Sequence, residues 1–388
     1  VTDAGLSVCA GCKNLVHVDL VRTPVTDAGV AYFAASRNLI VLDLVGAPVS
    51  DGGLAAFKGI NTLQHLWLSQ TKVTDDGLAN FADCKNLFNL DLVNLKITDA
   101  GLRHFAGNKN LVGLFVAQTP ITDVGLANFK DNKTLTKLWA GDTRLSDTGL
   151  AYFKDCKNLQ KLWVGGTNLT DAGLEHFKDC KELVDLSLMN TWVTDKGLAH
   201  FQDCKKLTSL WLAGTAVTDT GLSYFQESKN LVEVYLDGTK VSDASLTQFK
   251  DNKRLTQLKL QKTKVTGSGV DGLKRAIPLC KIEWDGGVIE PTGPSLDSDR
   301  ELAIEVVKIG GVVVVQQLPR SFRVEKSDEL PAGDFAVTDV GLTKTTDENL
   351  ASVANFLRVK TRHNDVGLQI IKSEMNDDGL KHLVGTNI

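Results

Sequence analysis

A phrase of nine residues returns every 24 positions, and that interval decides what the chain can fold into. LQKLWVGGT at Leu159–Thr167 is matched by LQHLWLSQT at Leu63–Thr71, LTKLWAGDT at Leu135–Thr143, LTSLWLAGT at Leu207–Thr215 and LVEVYLDGT at Leu231–Thr239. A unit this short cannot bury its own apolar face. Successive units must stack, each touching only its neighbours, into a solenoid. A length of 388 residues would otherwise suggest several globular domains, but a stack that grows in one dimension has no need to divide.

Bulk chemistry narrows function more than fold. The net charge of −4 points neither to nucleic acid nor to an acidic membrane surface as a general partner. No apolar run reaches the roughly 18 residues that a membrane-spanning helix requires, so no membrane insertion is expected within this segment. The chain opens as VTDAGL, inside a repeat and without an initiator Met or a signal-peptide pattern. The expectation is an excerpt of a longer chain.

Three ladders run beside the repeating phrase. Aspartates recur at every 24th residue from Asp3 through Asp147 and Asp195 to Asp243, each after Thr or Ser and nearly always before x-G-L. Ser, Thr and Asp cap helix N-termini, and a carboxylate suits the positive end of the helix dipole, so a capping role is expected. Calcium is not, because the additional oxygen ligands it needs are missing. Apolar residues three apart, such as Leu174 with Phe177, place one face of a short helix against a sheet. Threonines recur from Thr23 to Thr263, where a hydroxyl can bond backbone released as a strand turns away; Ala47 and Leu95 interrupt them, and loosening is expected there. Cys12, Cys84, Cys156, Cys180 and Cys204 share a position that elsewhere holds Ser36, Ile60 or Asn108, which marks structural thiols rather than redox or metal chemistry. A zinc site joining His176 and His200 to Cys180 and Cys204 is disfavoured, since the histidines should face solvent while the cysteines face inward.

Written as one unit, L-x-x-L-x-L-x-x-T-x-V-T-D-x-G-L-x-x-F-x-x-C-K-N, the repeat resembles the cysteine-containing T-D-x-G-L class of leucine-rich repeats. FKDCKNL at Phe153–Leu159 resembles large bacterial multi-repeat proteins, some of which carry a serine/threonine kinase elsewhere in the chain. The resemblance implies an α/β, right-handed leucine-rich repeat solenoid with a concave parallel β-sheet and short convex helices, and a role in recognition or scaffolding. The first array is expected over residues 1–284, its last strand in LCKIEW with Leu279, Ile282 and Trp284 inward. A Gly/Pro-rich linker follows at 285–298. A helix over Asp299–Ile309 and a hairpin of Val312–Val315 with Phe322–Val324 are read as a cap spanning 299–330, because such a unit precedes a fresh array in the resembled family. Residues 331–388 then read as a second, degenerate and truncated array, with Phe335 and Val337 in a strand and Leu368 and Ile370 at strand positions.

Function is expected on the concave face. In L-x-L the leucines point inward, and alternation sends the residue between them to the opposite side. That central lane reads Asp19, Asp43, Trp67, Asp91, Phe115, Trp139, Trp163, Ser187, Trp211, Tyr235, Lys259 and Glu283, in a chain that is only 6% aromatic. Contiguous rings in water mark interaction sites. Lys137 and Lys161 flank the rings on one side; Gly141, Gly165, Gly166, Ala213 and Gly214 suggest a bare trough on the other. The ligand-binding set is therefore Trp67, Phe115, Trp139, Trp163, Trp211, Tyr235, Lys137 and Lys161. A protein or peptide is the leading partner, a glycan the alternative, and a sensor or scaffold arm of a kinase-containing chain a further reading. The bland alternative is that the rings stack on one another only to stabilise the sheet. Acidic residues at both ends of the lane argue against single-stranded nucleic acid. With no kinase motif, hydrolase triad, cofactor fingerprint or metal motif in the sequence, no enzyme activity is expected.

Overall fold

A computed structural model describes residues 1–291 and, beyond them, the strands Val312–Gln317, Arg320–Val324, Ala336–Thr343 and Gly367–Ile371. The chain divides into two units, Val1–Glu290 and Pro291–Ile388.

In the first unit, the described strands from His17–Asp19 to Gly287–Ile289 form one sheet in chain order. All pairings are parallel up to Lys281–Trp284, at an offset of one repeat; Lys137 faces Lys161 and Trp139 faces Trp163. The central apolar residue of each parallel strand, leucine in most, is buried because the pleat turns it away from its solvent-side neighbours. Behind the sheet most coils return through one helical turn and a tight 3₁₀ turn, as in Asp195–Leu198 followed by Ala199–Phe201, and the last two through longer helices, Asp243–Phe249 and Gly267–Ala276. Leu198 and Phe201 are fully buried, and the same phenylalanine recurs, buried, from Phe33 to Phe249. The result is an α/β leucine-rich repeat solenoid whose core is one continuous stack of leucines and phenylalanines.

The T-D-x-G-L phrase explains how the coils are fastened. The aspartates are not the caps. Thr194 caps the helix, its hydroxyl accepting from the Lys196 amide at 3.3 Å. The same residue donates its amide and hydroxyl to the carboxylate of Asp171 in the preceding coil, at 2.7 and 2.6 Å. Every aspartate of the ladder does likewise, from Asp3 bonded to Thr26 through to Asp243 bonded to Thr266. A charged acceptor strengthens each bond. The glycine makes room for that carboxylate: a Cβ on Gly197 would lie 2.6 Å from Asp171 Oδ1. Where Ser245 replaces glycine, its hydroxyl donates to Asp219 instead.

The other ladders also pair backbone. Threonines from Thr23 to Thr263 donate to the carbonyl three residues earlier, Thr167 to Val164 at 2.6 Å. The expected loosening at Ala47 and Leu95 is absent: both are buried in the core, and the Ala47 amide keeps the turn by donating to Leu44 at 3.0 Å. In most coils the side chain at the cysteine position donates to the same position one coil back, Cys204 to the Cys180 carbonyl at 3.3 Å and Asn108 to the Cys84 carbonyl at 2.9 Å. That requirement accounts for the exchange of Cys with Ser and Asn. Burial pushes the Cys84 and Cys204 thiols up to about 12. Thiol titration of the native protein is expected to detect Cys9 and Cys12, which are only partly buried, and all seven cysteines after unfolding. Rapid reaction of Cys180 in the native state would contradict this packing.

Two expectations near the end of the array need correction. Cys280, not Leu279, is the buried residue entering the last parallel strand, and Trp284 is half-buried against the core. Gly287–Ile289, expected as linker, pairs antiparallel with that strand, Ile289 opposite Ile282. Gly287, at φ 124°, supplies the turn that a side chain would strain.

In the second unit, Val312–Gln317 and Arg320–Val324 form the expected hairpin. Ala336–Thr343 pairs antiparallel with the first of these and parallel with Gly367–Ile371, so Val337, Leu368 and Ile370 all lie in strands. The helix expected over Asp299–Ile309, and Phe335, expected in a strand, lie outside the described residues.

Candidate binding surface

The central lane holds its rings on the solvent side of the sheet, but they lean on one another. Phe115, Trp139, Trp163, Trp211 and Tyr235 form a series with centroid separations of 6.5, 4.9, 5.4 and 5.5 Å. Trp139 is the most open of them, 37% exposed; the others are half-buried. Phe115 folds over Gly113, where a Cβ would come within 2.7 Å of the ring. Phe115 and Trp163 both meet Trp139 nearly edge-on, at 83° and 81°, a favourable arrangement of aromatic quadrupoles.

The contact between Trp163 and Trp211 spans two strand spacings, because Ser187 stands between them in register. The two indoles close over this gap, and Ser187 and Asp185 beneath are buried. Both indole N–H groups are shielded from solvent and have no hydrogen-bond partner. Trp67 is separated from the series by Asp91 and packs instead beside His65, centroids 5.5 Å apart. The ridge is therefore shorter than the lane suggested.

Lys161 does not project freely. Its Nζ lies 2.5 Å from Asp185 and 5.6 Å from the Trp163 ring. Lys137, opposite it in register, makes no ion pair among the described residues. Nor do the small residues leave a trough. A Cβ on Gly141 would sit 3.0 Å from the Gly165 carbonyl, and one on Gly165 would sit 2.9 Å from that of Met189. These glycines let neighbouring backbones close up. At the far end, Tyr235 donates its hydroxyl to Gln257 at 2.9 Å, Lys259 lies 5.0 Å from the tyrosine ring, and Glu283 lies 3.7 Å from Lys259.

The acidic end of the lane has different chemistry. Burial raises the Asp91 carboxyl above the usual aspartate range, against the lowering effect of the Ser69 hydroxyl and the Val93 amide. Burial also raises Asp43, and Asp19 and Asp91 add to the effect. An acid whose folded pKa is raised opposes stability above that pKa, and the opposition fades as pH falls toward the unfolded value near about 3.9. Asp91→Asn, which keeps an oxygen for the Val93 amide, is therefore expected to be no less stable than wild type at neutral pH. Its relative standing should fall in acid. Urea unfolding at two pH values measures this; an advantage that grew on acidification would contradict it.

Several features of the surface escaped the sequence. Trp192, 73% exposed, lies outside the lane and before the helix rather than in a strand. The Ser187 gap was visible as a letter, but its aromatic cover was not. Among the described residues no cluster of three or more His, Cys, Asp or Glu could hold a metal, and no helix is long and apolar enough to cross a membrane.

A parallel sheet in register at one-repeat spacing, backed by short helices and stitched by pairs of Asp with Thr or Ser, defines a leucine-rich repeat protein. The chain belongs to the BspA type leucine-rich repeat family, whose six-copy region matches residues 5–112, 31–160, 105–232 and 147–268. A search of the curated proteins found no match. Among solved structures, an internalin (inlF) from Listeria monocytogenes is similar, with 18% identity, 70% of this chain and 81% of that one covered, and a TM-score of 0.53. A leucine-rich repeat protein of Leptospira interrogans shares 18% identity over 70% and 72% of the two chains, with a TM-score of 0.47. The plant peptide hormone receptor RGFR1, in complex with RGF2, shares 14% identity over 98% of this chain and 55% of its own, with a TM-score of 0.47. At 18% identity the likeness to the internalin is one of fold alone.

Proposed function

We propose that the array is a noncatalytic recognition module that takes an extended protein or peptide segment along the ridge from Phe115 to Tyr235. The observation that carries this reading is the pair of indole N–H groups, on Trp163 and Trp211, held within the ring series without a partner. A shielded donor left unpaired costs about 1–3 kcal/mol, which stacking for stability alone gives no reason to retain. Peptide carbonyls would satisfy such donors once the two indoles tilt apart to admit them, while Trp139 supplies an aromatic anchor and Lys137 a polar rim. Trp211 stacks face to face on Tyr235, at 10°, and Trp163 leans on Trp211 at 5.4 Å; this covers ring faces that a sugar would need and favours a peptide over a glycan on the ridge. An arm of a larger, kinase-containing chain would use the same surface. In the second unit, the parallel pairing of Ala336–Thr343 with Gly367–Ile371 supports a second array beginning behind a hairpin cap.

The test is selection of a displayed random-peptide library on the intact protein, followed by rebinding to Trp139→Ala. Selected peptides should lose most of their affinity. Undiminished binding would place the recognition surface elsewhere.

A further inference from the structure

The position that opens each strand-entry phrase, beginning at Lys13 and recurring at every 24th residue to Lys253, is Lys or Arg in every coil but one, which has Asn61. In several coils the basic side chain reaches across to the next coil. Arg37 donates to the Lys58 carbonyl at 2.8 Å, Lys85 to the His104 and Ala106 carbonyls at 3.1 Å, and Lys253 to that of Ala276 at 2.7 Å. Lys157 and Lys181 also lie 3.6 and 3.8 Å from Asp179 and Asp203, aspartates of the following coils. Asn61 is too short for either task. Asp83, the acid corresponding to Asp179, makes no ion pair among the described residues.

A shallow, open hollow of about 570 Å³ lies beside Asn61. Its wall carries the amides of Asn38, Asn61, Gln64 and Asn86, the Asp83 carboxylate and the apolar side chain of Ile40. None of the four side-chain amides is hydrogen-bonded within the described chain, whereas the neighbouring Thr62 hydroxyl is committed to the Leu39 carbonyl at 2.6 Å. Each amide offers two donors and an acceptor.

We infer that this hollow is a carbohydrate site. Asp83 disfavours anions, and the amides disfavour a purely apolar ligand. Vicinal sugar hydroxyls both donate and accept, matching four amides and one carboxylate, and Ile40 offers an apolar surface to a sugar C–H face. A neutral hexose unit at the end of an oligosaccharide fits this chemistry. The site lies apart from the aromatic ridge and does not rest on the peptide reading.

The experiment is calorimetric titration of the whole protein with cellotetraose, maltotetraose and N-acetylated chitotetraose. At least one should bind. Asn61→Lys restores the letter found in the other coils, so it should fold with unchanged or higher thermal stability while affinity falls about tenfold or more. Trp139→Ala should bind the sugar as wild type does, which separates failure here from failure at the ridge. The inference is overturned if none of the three sugars binds at millimolar concentration, or if Asn61→Lys binds as well as wild type. It is also overturned if Trp139→Ala abolishes sugar binding, or if only a lysine-bearing peptide occupies the hollow.

Discussion

Gly197→Ala should lower the unfolding free energy of the array by about 2–4 kcal/mol, a large effect for one methyl group. The added carbon would sit 2.6 Å from Asp171 Oδ1 and 3.0 Å from a Leu174 methyl. Asp171 cannot simply swing aside, because its two oxygens hold the amide and hydroxyl of Thr194. Moving it strips two charge-assisted bonds and leaves a helix N-terminus without its anchor to the preceding coil. Since each coil contacts only its neighbours, a break at this point separates the halves of the stack, and the melting transition should broaden. Gly197→Ser should cost less than Gly197→Ala, because Ser245 occupies the same position and turns the clash into a donor to Asp219. Chemical denaturation of the two variants checks the order. Equal stability of wild type and Gly197→Ala would mean that the Asp–Thr bonds do not hold the coils together.

Trp139→Ala should weaken a ridge-binding peptide at least about thirtyfold, the loss expected when a central aromatic anchor is removed. Its effect on stability should stay below about 1 kcal/mol, since the ring is already 37% exposed and its packing is confined to edge contacts with Phe115 and Trp163. Trp163→Ala differs. That ring is half-buried, touches Trp139 and Trp211, lies beneath Lys161 and helps cover Ser187. Its removal should cost about 1–2 kcal/mol of stability in addition to binding. The comparison separates the two roles of the ridge. A destabilising Trp139→Ala with normal peptide affinity would reduce the rings to a stabilising stack.

The fold was legible because burial in a solenoid follows chain period. Leu138 and Leu162 are one repeat apart and are buried for the same reason. Solvent-side alternation likewise placed Trp139 and Trp163 on the correct face. What stayed hidden depends on atoms from different coils meeting in space. The Asp171 carboxylate finds its partners at Thr194, so a residue that reads locally as a cap is a fastener between coils. Gly141 and Gly165 read as open space because they lack side chains, yet they are where neighbouring backbones approach. Trp163 and Trp211 are too far apart in the sheet to suggest contact until Ser187 is seen to leave room for both to tilt inward. Gly287–Ile289 read as linker because Gly and Pro dominate its surroundings, although a single antiparallel strand suffices to cover the edge of the last coil.

The six tryptophans provide a direct map of the recognition surface, since each contributes one indole N–H resonance. In a two-dimensional ¹H–¹⁵N titration with a selected peptide, the signals of Trp139, Trp163 and Trp211 should move, the last two as their unpaired donors gain acceptors. Trp192 and Trp284, which lie off the ridge, should stay in place. Shifts confined to Trp192 or Trp284, with the three ridge indoles unmoved at saturation, would contradict the account.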